Sequence, residues 1–232
     1  RPCASIITCC TIRSMKFLVR FLVACADFLF PKSKKVLELE QLSSGEILKI
    51  LPPAEEVEDR NILALFDYRD PLVREIIWSI KYRGDRILAD KMSEILSDVL
   101  AHEFADRFLF EKFERPLLVP MPISGKRRFE RGWNQTELLG EAIKKRMNES
   151  LKYLPNQLIK FRHTESQTQT SSKTERQRNL KGSMRVLNPD TVKDRCVVLL
   201  DDVTTTGSSF AEGKRALKEA GAKKVLCIAI AH

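Results

Sequence analysis

The chain has 232 residues, 43% of them hydrophobic and 31% charged. That is enough to bury one core with an appendage rather than two full domains, and it excludes a disordered chain. The formal net charge of +9 points to polyanionic partners, whether phosphorylated small molecules, nucleic acid or acidic membranes, without choosing among them.

Residues 1–14 precede Met15 and read as irregular or upstream sequence; residues 15–60 read as an N-terminal helix and linker. Phe17, Leu18, Phe21, Leu22, Cys25, Phe28 and Leu29 recur at helical spacing. Arg20 and Asp27 interrupt the apolar run, which argues against a signal peptide and against a spanning helix. Two readings stay open for residues 15–30: a helix packed on the body of the protein or on a partner, and a peripheral membrane helix. The six cysteines, at positions 3, 9, 10, 25, 196 and 227, offer no pair of Cys-x-x-Cys knuckles, so neither a zinc ribbon nor a disulfide framework is supported. Cys196 and Cys227 read as small buried hydrophobes, and the cytoplasm is the expected compartment.

From Pro31 to about Arg60 the chain reads as a polar connection broken at Pro52-Pro53. Residues 61–232 then read as one domain. Ile62–Tyr68 is a short strand, and Asp70-Pro71 is an N-cap with proline at the first helical position. That helix turns Leu72, Ile76, Ile77 and Ile80 inward and ends near Gly84; a second runs from Ile87 to Ala105. Leu117–Pro120 is a short apolar run, Trp133–Met147 a helix and Leu158–Phe161 a strand. Residues 163–182 are polar and lack apolar periodicity. Val197–Leu200 suits a parallel strand buried on both faces, Phe210–Ala220 a helix stopped by Gly221, and Val225–Ala231 a last strand. Strands alternating with helices predict an α/β fold with a mostly parallel sheet flanked by helices. Such sheets bind ligands outside the carboxyl ends of their strands.

The run Val-Val-Leu-Leu-Asp-Asp-Val-Thr-Thr-Thr-Gly-Ser-Ser at 197–209 occupies such an end. Asp201 and Asp202 are two carboxylates able to accept hydrogen bonds from neighbouring hydroxyls such as a ribose diol. Thr204, Thr205, Thr206, Gly207 and Ser208 offer hydroxyls and amides at a helix N-terminus, where a phosphate is stabilised by donors and dipole together. An ordinary loop capping the next helix has no use for paired acids.

This segment closely resembles the phosphoribosyl pyrophosphate (PRPP) motif of type I phosphoribosyltransferases. The resemblance implies that Asp201 and Asp202 face the ribose hydroxyls while Thr204 to Ser208 hold the 5′-phosphate. It also implies a magnesium ion held by the substrate's own phosphates, with no protein metal ligand. Four further stretches resemble the ComF family of competence-associated proteins: FLFPK at 28–32, IKYRGD at 80–85, VPMPIS at 119–124 continuing to Arg131-Gly-Trp-Asn-Gln135, and Arg162 to Asn179 with the following Lys-Gly-Ser-Met-Arg-Val. By that resemblance the chain has a type I phosphoribosyltransferase core with a small N-terminal helical or hood region. Pro120, Met121 and Pro122 then lie in a pyrophosphate loop, Arg131 and Arg176 are the catalytic cations, and residues 163–182 form a closing lid. Met121-Pro122 is a place for a cis or otherwise unusual peptide, unless the prolines only end a strand. Lys126, Arg127, Arg128 and Arg131 around Phe129 and Trp133 read either as a nucleic-acid patch or as a solvated face.

Two departures from the family pattern matter. Residues 33–60 hold no cysteine where ComF proteins carry a zinc module, so no zinc is expected. Thr205 stands where 6-oxopurine transferases often place an aspartate, which leaves no general base identified and disfavours hypoxanthine or guanine. The expected partner is PRPP, with single-stranded DNA, competence proteins and a second copy of the chain as further candidates. The expected function is transfer of a phosphoribosyl group to an unidentified acceptor, or, as the alternative, non-catalytic binding of a phosphoribosyl ligand or of single-stranded DNA in the competence machinery.

Overall fold

The computed structural model describes residues 32–55, 57, 59–111, 113–161 and 181–232. The sheet expected from the alternation is present and parallel throughout, in the order β1-β7-β6-β2-β3. Its strands are β1 (Ile62–Phe66), β2 (Leu117–Pro120), β3 (Lys152–Tyr153), β6 (Cys196–Val203) and β7 (Lys224–Ala231). A separate antiparallel pair joins β4 (Leu158–Lys160) to β5 (Met184–Val186).

β6 is central, with Val119 and Cys227 in register on either side of Leu199. Its apolar run divides by the two-residue period of a strand. Val198 and Leu200 join Leu118, Ile228 and Ile230 in one core beneath α3 (Pro71–Trp78), α4 (Arg86–Glu111) and α6 (Gln135–Met147). Val197 and Leu199 join Val119, Cys227 and Ala229 in the opposite core, against Phe210 and Leu217 of α7 (Ser208–Glu219). Both faces are therefore apolar, which is why the strand reads as a continuous run rather than an alternation.

Three segments differ from the sequence expectations. The polar connection contains two short helices, α1 (Lys34–Leu39) and α2 (Ser44–Ile50). A capping box between Ser43 and Glu46 starts α2, while Val36, Leu39, Ile47 and Leu51 anchor the pair in the main core. So few apolar positions per helix leave no period to read. The helix expected to run unbroken to Gly84 is α-helical only to Trp78 and continues as a π-helical turn over Ser79–Arg83, closed by Gly84 at φ 64°. The helix expected over Trp133–Met147 is α6, capped by the Asn134 side chain, and an unexpected short helix precedes it, α5 (Gly125–Arg131), ended by Gly132 at φ 81°.

Residues 15–30 and most of the expected lid, 163–180, lie outside the described residues. Among the described residues no helix is long and apolar enough to cross a membrane.

Candidate functional site at the carboxyl end of the sheet

β6 carries Asp201 and Asp202 to the carboxyl edge of the sheet, where they are only 8% and 6% exposed. Two buried adjacent carboxylates repel each other. Burial first, and the neighbouring Asp202 charge second, hold the Asp201 carboxyl well above the usual aspartate range. Asp201 Oδ1 accepts from the Asp202 backbone N–H at 2.9 Å. Asp202 Oδ2 has outside help: Gln135 Nε2 donates to it at 3.3 Å and Lys81 Nζ lies 3.9 Å away.

The loop that follows leads from the sheet edge into α7. Thr204 N–H still donates to Ala231 O at 2.9 Å, extending the β6–β7 ladder by one residue. The backbone then turns away. Gly207 adopts φ 70°, and Ser208 opens α7. Thr206 Oγ1 and Ser208 Oγ are 2.7 Å apart, and Ser208 N–H points to Thr206 Oγ1 at 3.4 Å. A Cβ at Gly207 would meet no atom within 4 Å, so the space over the turn is open. Two hydroxyls and the N-terminus of a 12-residue helix thus converge beside that space, which is the donor set a phosphate needs.

Pro120, Met121 and Pro122 leave the adjacent strand at the same edge, with Pro120 in register with Leu200. The Met121-Pro122 peptide is not cis, and no cis bond occurs among the described residues. Met121 N–H is spent on Leu200 O at 2.8 Å, and Met121 O accepts from Asn134 Nδ2 at 3.0 Å and Thr136 Oγ1 at 2.8 Å. The loop is tied to the start of α6, and the Met121 amide is not turned toward a ligand. Beside it, Pro120, Pro122, Ile123, Arg128, Asn134 and Lys160 help line a cavity of about 260 Å³.

Arg131 ends α5 with its guanidinium 4.7 Å from the Tyr82 ring centroid and donates to Gln135 Oε1 at 3.4 Å. Gln135 therefore links Arg131 to Asp202. Arg176 lies outside the described residues. The basic run is divided rather than pooled: Arg128 makes a two-pronged pair with Glu137 at 2.6 and 2.9 Å, and Lys126 sits 3.9 Å from Glu130.

Three side chains at this edge carried no assignment from sequence. Lys81 and Gln135 stand inside quoted stretches, but only the π-helical turn and the α5–α6 break aim them at Asp202. Lys160, on β4, is held below the usual lysine range by burial and then by the Arg127 charge, with Asp201 and Glu212 acting oppositely. Among the described residues no group of three or more His, Cys, Asp or Glu side chains gathers as a metal cage. The expected magnesium is carried by the substrate's own phosphates and asks for no protein ligand, which leaves Asp201 and Asp202 to accept from hydroxyls.

No family model matches the chain. It is 25% identical over 158 residues to competence protein ComFC of Bacillus subtilis, covering 68% of this chain and 58% of that protein. It is 31% identical over 109 residues to competence protein F of Haemophilus influenzae, covering 47% and 46%. With the DNA utilization protein YhgH of Escherichia coli it shares 28% identity over 191 residues, 79% of this chain and 75% of that one. The chain thus spans about half the length of the first two relatives. Among solved structures, the glutamine PRPP amidotransferase from B. subtilis aligns with TM-score 0.37 at 16% identity, over 60% of this chain and 25% of that one. A hypoxanthine phosphoribosyltransferase from Staphylococcus aureus aligns with TM-score 0.34 at 11% identity, over 61% of each chain.

Proposed function

We propose that this chain, a relative of the ComF-type competence proteins, binds PRPP with magnesium and transfers its phosphoribosyl group to an acceptor in the service of DNA uptake. One observation carries the reading: a buried pair of adjacent carboxylates, Asp201 and Asp202, stands one turn before a left-handed glycine and two hydroxyls at a helix N-terminus. A diol at one end and a phosphate at the other match that order.

In this reading Asp201 and Asp202 accept hydrogen bonds from the ribose 2′- and 3′-hydroxyls, and Thr204 to Ser208 hold the 5′-phosphate. Arg131 and Arg176 offset the charge of the leaving pyrophosphate. Bound magnesium supplies further neutralisation there. The rest is positioning: the carboxylates fix the ribose while the loop fixes the phosphate, so the anomeric carbon is presented in one orientation. Thr205 supplies no proton acceptor, and none is assigned. The buried thiols of Cys196 and Cys227, the latter pushed up to about 12 by burial, suit a reducing cytoplasm.

Calorimetric titration with PRPP and magnesium tests the reading directly. Binding is expected for the wild type and its loss for Asp201→Asn/Asp202→Asn; a wild type that takes up no PRPP overturns it. The second reading, a non-catalytic ligand or single-stranded DNA module, is favoured by the names of the relatives, which speak of competence and DNA utilization. It predicts PRPP binding without turnover on any acceptor, and strand binding that weakens steeply with salt.

A further inference from the structure

The β6–β7 ladder closes on the Thr204 N–H, which donates to Ala231 O at 2.9 Å. In a parallel ladder the following bond would run to Thr204 O from further along the neighbouring strand, but β7 ends at Ala231. A side chain takes that place: His232 Nδ1 lies 2.9 Å from Thr204 O. A carbonyl oxygen only accepts, so Nδ1 carries the proton and the ring donates. The base of the ring is fixed from the other side. His232 N–H donates to Phe66 O at 3.0 Å, and Tyr68 N–H donates to His232 O at 2.8 Å. The half-buried imidazole thus stands on backbone clamped to the end of β1 and grips the first residue of the Thr204–Ser208 loop.

That grip sets the direction of a second group. The Thr204–Thr205 peptide is planar and trans, so its carbonyl and its N–H point in opposite directions. Holding Thr204 O toward the end of β7 turns the Thr205 N–H away from the ladder. Thr204 is buried and Thr205 exposed, so this peptide is where the sheet gives way to the open loop. Among the described residues the N–H groups of Thr205, Thr206 and Gly207 have no acceptor. Successive amides left open before a helix form a concave donor set suited to an anion. The second half of the loop is held internally, by the 2.7 Å contact between Thr206 Oγ1 and Ser208 Oγ and by the start of α7. The first half depends on Ala231 and His232.

A histidine after a strand can serve simply to satisfy a carbonyl that would otherwise be left unpaired. Here the carbonyl it satisfies shares a peptide plane with the first open amide of the loop. We propose that His232 is a positioning residue for the 5′-phosphate, holding the Thr204 carbonyl so that the Thr205 N–H faces the anion before it arrives. The proposal rests on the phosphoribosyl reading and adds to it a residue outside the loop, on the chain that leaves β7. A peptide plane free to rotate turns its N–H away from the anion for part of the time, and affinity falls in proportion to that population. Fixing the plane beforehand spares the reorganisation at the moment of binding.

The test uses the full chain with ribose 5-phosphate as the probe. In the wild type, titration should displace the Thr205 amide resonance in proton–nitrogen correlation spectra as that amide gains an acceptor. His232→Leu is expected to weaken ribose 5-phosphate binding roughly five- to tenfold by calorimetry, about the worth of one hydrogen bond. In the ligand-free protein it should also move the Thr205 nitrogen resonance, because the carbonyl of the same peptide loses its donor, while Leu199 in the sheet interior stays in place. His232→Asn can offer a side-chain N–H to the same carbonyl and should restore both affinity and resonance. A role confined to stability would lower Tm in His232→Leu and leave affinity unchanged, which overturns the proposal. A wild-type Thr205 amide that ignores bound ribose 5-phosphate overturns it too, with no variant needed. Equal weakening in His232→Asn and His232→Leu overturns it in favour of the imidazole acting on the phosphate directly. If the wild type binds neither ribose 5-phosphate nor PRPP, the phosphoribosyl reading falls with the proposal; if it binds them while Thr205 stays silent, that reading stands alone.

Discussion

Lys81 Nζ lies 3.9 Å from Asp202 Oδ2, the same oxygen that accepts from Gln135 Nε2. The two acids are therefore unequally supported by neighbouring donors, and burial, then the Asp202 charge, holds the Asp201 carboxyl well above its usual range. Replacing Lys81 by methionine removes the cation nearest the pair. Because the ion pair is long and Lys81 partly exposed, the cost to stability should stay below about 1 kcal/mol. PRPP affinity should fall by roughly three- to tenfold, a few tenths to one unit in log Kd. Lys81→Arg should restore most of it. Unchanged calorimetric affinity in Lys81→Met would show that this cation serves only the free protein.

The carboxylate pair should also trade stability against binding. An acid whose folded pKa is raised favours the folded state most below its unfolded value near 3.8, and that contribution declines as pH rises toward the folded value. The penalty therefore sets in above the unfolded value and weighs on the folded state at neutral pH. Asp201→Asn removes it and is expected to raise Tm at pH 7 by about 2–4 °C, the shift for about 1 kcal/mol in a chain of this size. The gain should vanish near pH 3, where wild-type Asp201 is protonated as well. Ribose hydroxyls lose an acceptor in the same variant, so PRPP binding should be lost while Tm increases. A Tm that falls at pH 7 would contradict a strained pair.

Gly84 is the point at which local geometry supports the site from a distance. Its φ of 64° suits glycine, and a Cβ would press on the Trp133 ring at 3.1 Å. Gly84→Ala combines left-handed strain with crowding and should cost about 1–3 kcal/mol. The ring shift should appear in near-UV circular dichroism. Gly207→Ala is the contrast: φ is 70°, but nothing lies within 4 Å of the added methyl. Its cost should be confined to about 1–2 kcal/mol of backbone strain, with a larger loss of ribose 5-phosphate affinity because the methyl occupies the open space above the turn.

The parts of this molecule that follow a period were readable in advance. Val197–Leu200 announces a strand buried on both faces, and Asp201 to Ser208 follow from it by position alone. What was not readable depends on where chain segments meet. Lys81 faces Asp202 because five residues adopt π rather than α geometry, and no spacing rule distinguishes the two. The helices α1 and α2 bury only a few side chains each, so the Ser33 cap of the first and the Ser43–Glu46 capping box of the second were the available signals. Met121-Pro122 was a place for a cis peptide, but the bond is not cis and the Met121 N–H extends the strand pairing to Leu200 O. A dipeptide shows that proline permits an unusual bond; it cannot show that the sheet makes one unnecessary.

Glu212 provides the test of how β5 is attached. Its side chain is 3% exposed, pairs with Arg215 at 2.8 Å and accepts from Met184 N–H at 2.9 Å. Arg215 in turn donates to Met184 O at 3.0 Å, so the acid and the base together grip one residue of β5. Burial alone would raise the Glu212 carboxyl, but the Arg215 hydrogen bonds and the backbone N–H groups of Met184 and Gly182 outweigh it and hold it below the usual range. The sign is therefore opposite to that of Asp201: this contribution is present above the unfolded value near 4.5 and is lost as pH falls through the folded value. Glu212→Ala leaves Arg215 without its buried partner and frees two amides, which should cost about 3 kcal/mol. Glu212→Gln keeps an acceptor and should cost roughly half as much. Hydrogen exchange at the Met184 amide should accelerate in both variants more than exchange at Leu199, which lies in the sheet interior. Equal acceleration at the two amides would mean that Glu212 supports the whole domain rather than the grip on β5.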